Sequence, residues 1–260
     1  MAISLSTIAQ TGGKQAPRII VYGVHGIGKS TFASQAAAPV FIQTEDGLAG
    51  IDTSAFPLAK TFDDVMEALR SLYAEDHKFK TVIIDSLDWL ERLVWQHTAK
   101  AHAKENIEDF GYGKGYMMAL DYWRQVFDGL NALRDAKGMT VVCLAHSEIK
   151  RFDAPDSEPY DRYQPKLHKA ASAVVQEWAD IVAFTNYKVM TKETDTGFGA
   201  KRTRAVGNGE RLLYLHERPS HLAKTRYVLP ESMPLDWPTF ANSLADATAP
   251  AKSKTAKPTK

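Results

Sequence analysis

The sequence predicts one doubly wound α/β domain with a mostly parallel sheet. Five short apolar runs, typical of strands buried on both faces, alternate with segments of helical periodicity. The runs are residues 18–22, 40–43, 81–84, 140–145 and 181–185, and the helical patterns are residues 62–74, 87–104 and 117–137. Gly138 follows the last helical pattern and is suited to a helix C-cap. Strands that alternate with helices form parallel sheets through right-handed crossovers, which gives the doubly wound arrangement.

Length and composition indicate one globular domain rather than a fibrous or membrane protein. The chain has 260 residues, 44% of them hydrophobic and 24% charged, which suits one substantial core. No apolar run reaches the roughly 20 residues that span a bilayer, and the N-terminus does not resemble a signal peptide. We therefore expect a cytoplasmic protein without membrane contact. The net charge of +1 means that any nucleic-acid binding must come from local patches.

The pattern changes towards both ends of the chain. Residues 1–16 are predicted to be a flexible lead-in and residues 17–246 the folded domain. Residues 247–260 are predicted to be a disordered basic tail, because the last twelve contain four lysines, two prolines and no aromatic residue. Residues 202–206 and 211–215 flank Gly-Asn-Gly, a hairpin signal that predicts an antiparallel extension of the sheet. A final helix is expected at residues 237–247.

Cysteine and histidine patterns predict neither a disulfide nor a zinc site. Cys143 is the single cysteine and lies in an apolar run, where a small buried side chain is expected. No pair among the eight histidines has the spacing that brings zinc ligands together. His97 and His102, five residues apart, fall on different sides of a helix.

The most specific motif follows the first apolar run. It fits the Walker A pattern G-x-x-x-x-G-K-[ST], in which glycines let backbone N–H groups surround a phosphate. A lysine neutralises the β and γ phosphates, and a hydroxyl ligates Mg²⁺. The predicted ATP-binding residues are Gly23, Val24, His25, Gly26, Ile27, Gly28, Lys29, Ser30 and Thr31. Helix-compatible residues 31–37 follow, so the positive end of a helix would face the phosphates.

An acidic residue after a second apolar run completes the predicted Mg²⁺ site. Asp85 follows residues 81–84 directly and would hold the hydrated ion together with Ser30. A helix cap is the other role open to Asp85. Asp88, in the first turn of the next helix, is predicted to be a solvated carboxylate favoured by the helix dipole.

Two further residues make the sequence resemble the RecA-like ATPases. In that family the catalytic glutamate ends the strand that follows the P-loop helix, and Glu45 follows residues 40–43 in this way. The resemblance implies that Glu45 is the base for ATP hydrolysis; a loop carboxylate that caps the next segment is the alternative. His146 ends the run 140–145, where the family has a polar residue that senses the γ phosphate.

Two segments are candidates for contacting single-stranded DNA. Residues 148–168 form a predicted loop in which lysines and arginines alternate with aromatic residues, the combination that binds phosphates and stacks on bases. Five acidic residues in the same segment keep an ordinary mobile surface loop as an alternative. Residues 110–116 combine glycine, tyrosine and lysine, and would be either a second DNA-contacting loop or a helix connection packed on the core.

Lys224 and Arg226 complete the candidate site residues. Their Lys-x-Arg spacing resembles the paired cations with which bacterial RecA and RadA reach a neighbouring subunit's ATP, although threonine stands where RadA has asparagine and no glycine follows. The resemblance implies that both act across a subunit boundary and stabilise transition-state charge. Surface cations beside a strand are the alternative.

These motifs together resemble the small phage-encoded RecA-like ATPases, some of which anneal single strands. The resemblance covers about residues 17–244. It implies ATP-dependent and Mg²⁺-dependent binding of single-stranded DNA in recombination, homo-oligomerisation, cooperation with a single-strand binding protein and a location in the host cytoplasm. Two other functions stay open. One is a nucleotide kinase, whose arginine lid only Arg151 and Arg162 could supply, and the other is a nucleotide-gated assembly, packaging or replication accessory protein.

Overall fold

A computed structural model describes residues 4–5, 15–156, 158–188, 190–195, 201–206 and 209–248. Most of the predicted lead-in and nearly all of the predicted tail lie outside these residues, so the domain limits stay a prediction. No helix in the described part of the chain is long and apolar enough to cross a membrane.

Twelve strands and six α-helices are present among the described residues. The strands are β1 Arg18–Gly23, β2 Pro39–Gln43, β3 Ser54–Ala55, β4 Thr81–Asp85, β5 Thr140–Phe152, β6 Tyr160–Pro165, β7 Ile181–Tyr187, β8 Met190–Asp195, β9 Lys201–Val206, β10 Arg211–Tyr214, β11 Lys224–Thr225 and β12 Ser232–Pro234. The helices are α1 Lys29–Ser34, α2 Phe62–Ala74, α3 Leu87–Ala101, α4 Lys114–Lys137, α5 Lys169–Trp178 and α6 Trp237–Thr248. A 3₁₀ turn, Ile107–Phe110, precedes α4.

The main sheet has the order β12-β10-β7-β1-β5-β4-β2-β3. The six strands from β7 to β3 are parallel, so their carboxyl ends share one edge. At that edge Gly23 lies opposite His146, and Gln43 lies opposite Asp85. The doubly wound, mostly parallel α/β class predicted from the sequence is confirmed.

Helices cover both faces of the sheet because the central strands are apolar on both faces. In β1, Ile20 and Tyr22 belong to a core that includes residues of α2, α3, α4 and α5. Ile19 and Val21 belong to a second core that includes residues of α1 and α6. Cys143 is buried in the first core as predicted, and burial raises the pKa of its thiol to about 12.

The antiparallel extension is present, but the predicted hairpin is wrong. β10 pairs with β7 and β12, whereas β9 pairs with β8 in a separate two-stranded ribbon. Burial explains the choice: Leu213 and Leu215 are fully buried in the core beside β7. Residues 201–206, KRTRAV, carry little apolar surface that such a position would bury. Residues 207–208 of the expected turn lie outside the described residues.

Residues 148–168 also differ from the prediction of a loop. β5 does not end before His146 but continues to Phe152, and β6 pairs with it in antiparallel register from Ser147–Pro165 to Phe152–Tyr160. Cross-strand contacts stabilise the pairing of β5 with β6: Arg162 lies over the Phe152 ring at 3.9 Å, and Phe152 contacts Tyr160. We call the paired residues 147–152 and 160–165 the β5–β6 hairpin.

Candidate nucleotide-binding and catalytic site

The predicted phosphate loop connects β1 to α1 at the carboxyl edge of the sheet. Its two ends depend on glycine. A Cβ at Gly23 would lie 2.2 Å from the Thr185 carbonyl oxygen of β7, so the close approach of the strands excludes a side chain. Gly28 caps α1 with φ of 103°, a left-handed conformation that glycine adopts without strain. The backbone of this loop thus requires glycine at two fixed positions of the Walker A pattern.

Lys29 lies in the mouth of this loop. Its side chain is buried, and Nζ donates to the carbonyl oxygens of Gly23 and Val24, both at 3.2 Å. Burial lowers the pKa of the Lys29 amine, and the carboxylates of Asp85 and Asp88 oppose that effect. The cation is thus held where the loop's N–H groups would surround a phosphate.

Ser30 and Asp85 meet as the sequence predicts. Ser30 Oγ donates to Asp85 Oδ2 at 2.6 Å. Burial raises the pKa of Asp85, while the Ser30 hydrogen bond and the charge of Lys29 oppose the rise. A hydroxyl and a carboxylate are the oxygen donors that Mg²⁺ prefers, so this pair fits the ion that a P-loop requires.

Glu45 enters the same site because the ends of β2 and β4 are tied together. Thr44 Oγ1 donates to the Ser86 carbonyl at 2.7 Å and accepts from the Ser86 N–H at 2.9 Å. Glu45 follows, with Oε1 at 3.9 Å from His146 Nε2. Burial raises the pKa of Glu45, and His146 opposes the rise. A carboxyl group with a raised pKa is a better proton acceptor near neutral pH than an exposed one.

Asp88 is not the solvated carboxylate that the sequence suggested. It is 6% exposed and accepts hydrogen bonds from the His146 backbone N–H at 3.0 Å, from His146 Nδ1 at 2.9 Å and from Ser86 Oγ at 2.9 Å. Burial alone would raise its pKa, but the hydrogen bonds from His146 outweigh it and lower the pKa to about 2. The prediction failed because β5 passes over the first turn of α3, a contact that local sequence does not reveal.

Among the described residues, Glu45, Asp88 and His146 form a group whose ligand atoms lie within 4.8 Å of one another. A transition metal would need three or four such ligands around one point. His146 Nδ1 is already hydrogen-bonded to Asp88, so only Nε2 and the Glu45 carboxylate face a common space. The group is therefore better described as a hydrogen-bonded Asp88–His146 pair that faces Glu45 than as a metal centre.

Two contacts of the phosphate loop were not predicted from the sequence. His25 stacks on His146 with ring centroids 4.0 Å apart, and the His146 charge lowers the pKa of His25. Arg211 of β10 donates from Nη1 to the Ile27 carbonyl at 3.1 Å, which secures the outer side of the loop. Arg211 gave no sequence signal because its approach depends on the pairing of β10 with β7.

The β5–β6 hairpin begins at the nucleotide site, since β5 runs without a break from His146 into it. Its base is closed by the Lys166 N–H, which donates to the His146 carbonyl at 2.8 Å. Arg151 and Lys166 are exposed. Arg162 is instead 11% exposed and paired with Glu217 at 2.8 Å, so it is less accessible than Arg151 for contacts with DNA or in a kinase lid.

Residues 110–116 combine parts of both predicted roles. Tyr112 lies fully exposed between Gly111 and Gly113, as a DNA-contacting ring would. Tyr116 instead belongs to the first turn of α4 and stacks on His168 with centroids 4.0 Å apart. The segment is a helix connection with one exposed aromatic ring.

Lys224 and Arg226 are not brought to the phosphate loop of their own chain. β11 pairs with the amino-terminal half of β7, so both lie towards the opposite edge of the sheet. Lys224 Nζ donates to the Gln176 carbonyl at 2.7 Å, and Arg226 pairs with Asp180 at 3.1 Å. A role in ATP hydrolysis would require a neighbouring chain, as the sequence resemblance implies.

Comparison with known proteins gives a family match, a sequence relative and a solved structure. A family model described as an AAA domain matches residues 15–227. The SPbeta prophage-derived uncharacterized protein YorG of Bacillus subtilis (strain 168) is 23% identical over 219 residues, which are 83% of this chain. The chain spans 61% of that relative's length. A crystal structure of the RadB recombinase aligns with 82% of this chain and 88% of its own, at 15% identity and a TM-score of 0.43.

The phosphate loop, its lysine and the serine–aspartate pair on a parallel sheet define a P-loop nucleotide-binding protein. Glu45, Asp85 and His146 meet at the carboxyl edge, which is the arrangement that the RecA-like class leads us to expect. The family match covers most of the chain. The chain therefore belongs to this AAA domain family and has the site features of a P-loop nucleotide-binding protein.

Proposed function

We propose that this protein is a Mg²⁺-dependent ATPase that acts on single-stranded DNA in phage-type recombination or annealing. The observation that supports hydrolysis is the convergence of five side chains at the carboxyl edge of the sheet: Lys29, Ser30, Asp85, Glu45 and His146. Each has the chemistry that one part of phosphoryl transfer to water needs.

The roles follow from position and charge. Lys29 neutralises the β and γ phosphates in the loop. Ser30 and Asp85 are the residues that would hold Mg²⁺, Ser30 directly and Asp85 through water, and the ion would supply charge neutralisation. Glu45, with its raised pKa, accepts the proton of the attacking water. His146 contacts the γ phosphate and, because it directly precedes the β5–β6 hairpin, links a bound nucleotide to that hairpin.

The continuity of β5 supports a link between the nucleotide and DNA. A shift of His146 towards a bound γ phosphate moves the strand that carries Arg151, and the His146 carbonyl holds Lys166 at the other side of the hairpin base. Both cations are exposed and suited to phosphate contacts, and the exposed ring of Tyr112 is suited to stacking on a base.

Oligomerisation belongs to the same proposal. Lys224 and Arg226 of one chain reach the ATP of the next and stabilise transition-state charge, so hydrolysis depends on assembly. A phage role is supported by the prophage origin of the relative YorG. Cooperation with a single-strand binding protein follows from the same class of function.

The test is the rate of phosphate release with and without single-stranded DNA, in Mg²⁺ and in EDTA, over a salt series. We expect Mg²⁺-dependent turnover that single strands stimulate, with stimulation fading as salt rises because phosphate contacts are screened. Arg151→Ala with Lys166→Ala should reduce the salt slope of DNA binding by about one per lost phosphate contact. Lys78→Ala with Lys80→Ala is the matched control, because these exposed lysines precede β4 at the opposite edge of the sheet.

An ATP hydrolysis rate that single-stranded DNA does not change would refute the proposed DNA role, but the proposed ATPase activity would stand. ATP binding without turnover would favour a nucleotide-gated assembly protein. Phosphate transfer to a nucleoside monophosphate, followed by thin-layer chromatography, would identify a kinase instead.

A further inference from the structure

Asp88 is a buried carboxylate that makes an unusual number of contacts with one neighbour. It accepts from the backbone N–H of His146 and from the Nδ1 of the same residue, and Ser86 Oγ supplies a third hydrogen bond. Two bonds to one residue fix both the position of its backbone and the rotation of its ring. Asp88 thereby joins the first turn of α3, just after Asp85, to the strand that enters the β5–β6 hairpin.

These contacts also determine where the His146 ring carries its proton. An ionised carboxylate only accepts hydrogen bonds, so the ring nitrogen that faces Asp88 must be a donor. The low pKa of Asp88, about 2, is consistent with an ionised group at neutral pH. In the neutral ring the proton therefore lies on Nδ1, and Nε2 presents a lone pair towards Glu45, 3.9 Å away.

We propose that Asp88 is the positioning residue for His146: it holds the imidazole in the Nδ1–H form with Nε2 directed at the space beside Glu45 where the γ phosphate and the attacking water would lie. This inference rests on the proposed ATPase function. It deepens that function, because the proposed catalytic histidine depends on a carboxylate that does not itself reach the nucleotide.

The geometry distinguishes this role from ordinary core packing. A carboxylate that only satisfied the β5 backbone would need the N–H of His146 alone, yet Oδ2 lies 2.9 Å from the ring nitrogen. His25 stacks on a face of the imidazole with ring centroids 4.0 Å apart and limits ring tilt. Nitrogen-15 spectra report the proton position directly, whether or not ATP is hydrolysed.

The first experiment is nitrogen-15 NMR of the histidine rings of the whole protein at about pH 8. The eight histidines give few signals, and His146→Gln identifies those of residue 146. We expect a protonated Nδ1 and an unprotonated Nε2 in the wild type. In Asp88→Asn the amide can turn its N–H₂ towards the ring, so the proton should move to Nε2. An Nε2–H ring in the wild type, or an unchanged ring in the variant, would overturn the proposal.

Activity supplies the second readout. Loss of a carboxylate that orients a metal-bound histidine typically costs about 10–100-fold in activity, and we take the same range for this hydrogen-bonded histidine. We expect kcat of Asp88→Asn to fall by about that factor while the Kd for ATP changes less than about threefold, and Asp88→Glu to restore part of kcat. Glu91→Gln, one turn along the same face of α3, is the control: its partner is the His168 N–H, so the His146 signals should not move.

The two proposals fail in different ways. A wild type that has the Nδ1–H ring but hydrolyses no ATP refutes the ATPase and leaves the positioning contact intact. Normal kcat in an Asp88→Asn protein whose ring has changed form refutes the positioning role and leaves the ATPase intact. If Asp88→Asn does not fold, the proposal is tested by the nitrogen-15 spectrum of the wild type and by the spectrum and kcat of Asp88→Glu.

Discussion

Glu91 offers a test of the electrostatics of α3 that does not depend on any assigned function. Its side chain is 4% exposed, and its two carboxylate oxygens share one donor, the backbone N–H of His168 at 3.0 and 3.1 Å. Burial raises its pKa from 4.5 to about 7, although the His168 hydrogen bond and Lys150 oppose the rise. Asp88 and Glu148 also face it and add to the rise.

The sign and size of the effect follow from linkage. Because the folded chain binds the Glu91 proton more tightly than the unfolded chain, stability is lost as pH rises from about 4.5 to about 7. One pKa unit corresponds to about 1.4 kcal/mol, so the charged carboxylate destabilises the folded state by about 3 kcal/mol above neutral pH. Glutamine keeps the shape and the acceptor without the charge, so Glu91→Gln should remove this loss.

The assay is urea unfolding of the wild type and Glu91→Gln at pH 5 and pH 8. Relative to the wild type, the free energy of unfolding of Glu91→Gln should rise by about 2–3 kcal/mol from pH 5 to pH 8. At pH 5 Glu91 of the folded wild type is already protonated, so little stability has yet been lost. Glu67→Gln on α2, whose side chain is 70% exposed and paired with Arg70, should show no such change. A pH-independent difference for Glu91→Gln, or a loss at pH 8, would refute the reasoning.

Three further predictions concern catalysis, assembly and packing. Glu45→Gln should keep ATP binding and reduce single-turnover hydrolysis by about 100-fold or more, because the carboxylate that accepts the water's proton is removed; a rate within about threefold of the wild type would exclude Glu45 as the base. Lys224→Ala should reduce steady-state hydrolysis at chain concentrations that favour assembly; unchanged hydrolysis there would reject the action across a subunit boundary. Trp123→Ala removes a fully buried ring from α4 and should lower the free energy of unfolding by about 3–5 kcal/mol in urea titrations, whereas a loss below about 1 kcal/mol would contradict the packing described here.

The elements that the sequence predicted well are those whose signal is local. α2 has the predicted bounds, 62–74, because Thr61 and Asp64 form a capping box at its start. Gly138 caps α4 in a left-handed conformation as expected. The hairpin at residues 202–215 was predicted from an equally local turn signal. Strand pairing, however, depends on which apolar side chains become buried, and Leu213 is buried in the core beside β7.

The candidate site residues likewise divide into those with a local sequence signal and those whose position depends on tertiary contacts. Lys29, Ser30 and Asp85 were predicted together because phosphate and Mg²⁺ binding impose fixed residue types at fixed spacing, and Ser30 does donate to Asp85. Glu45 was predicted through resemblance, and its approach to His146 depends on the Thr44 bonds to Ser86. Its role, like that of Lys224 and Arg226, stays a prediction.

The sequence by itself determined the α/β class and the phosphate loop, because periodic burial and phosphate binding each leave a pattern in neighbouring residues. Only the tertiary structure decided the environment of Asp88, the pairing of residues 147–152 with residues 160–165 and the distance of Lys224 from the phosphate loop of its own chain. Each of these depends on segments far apart in the chain. Their contacts arise from packing across the sheet, which no local pattern records.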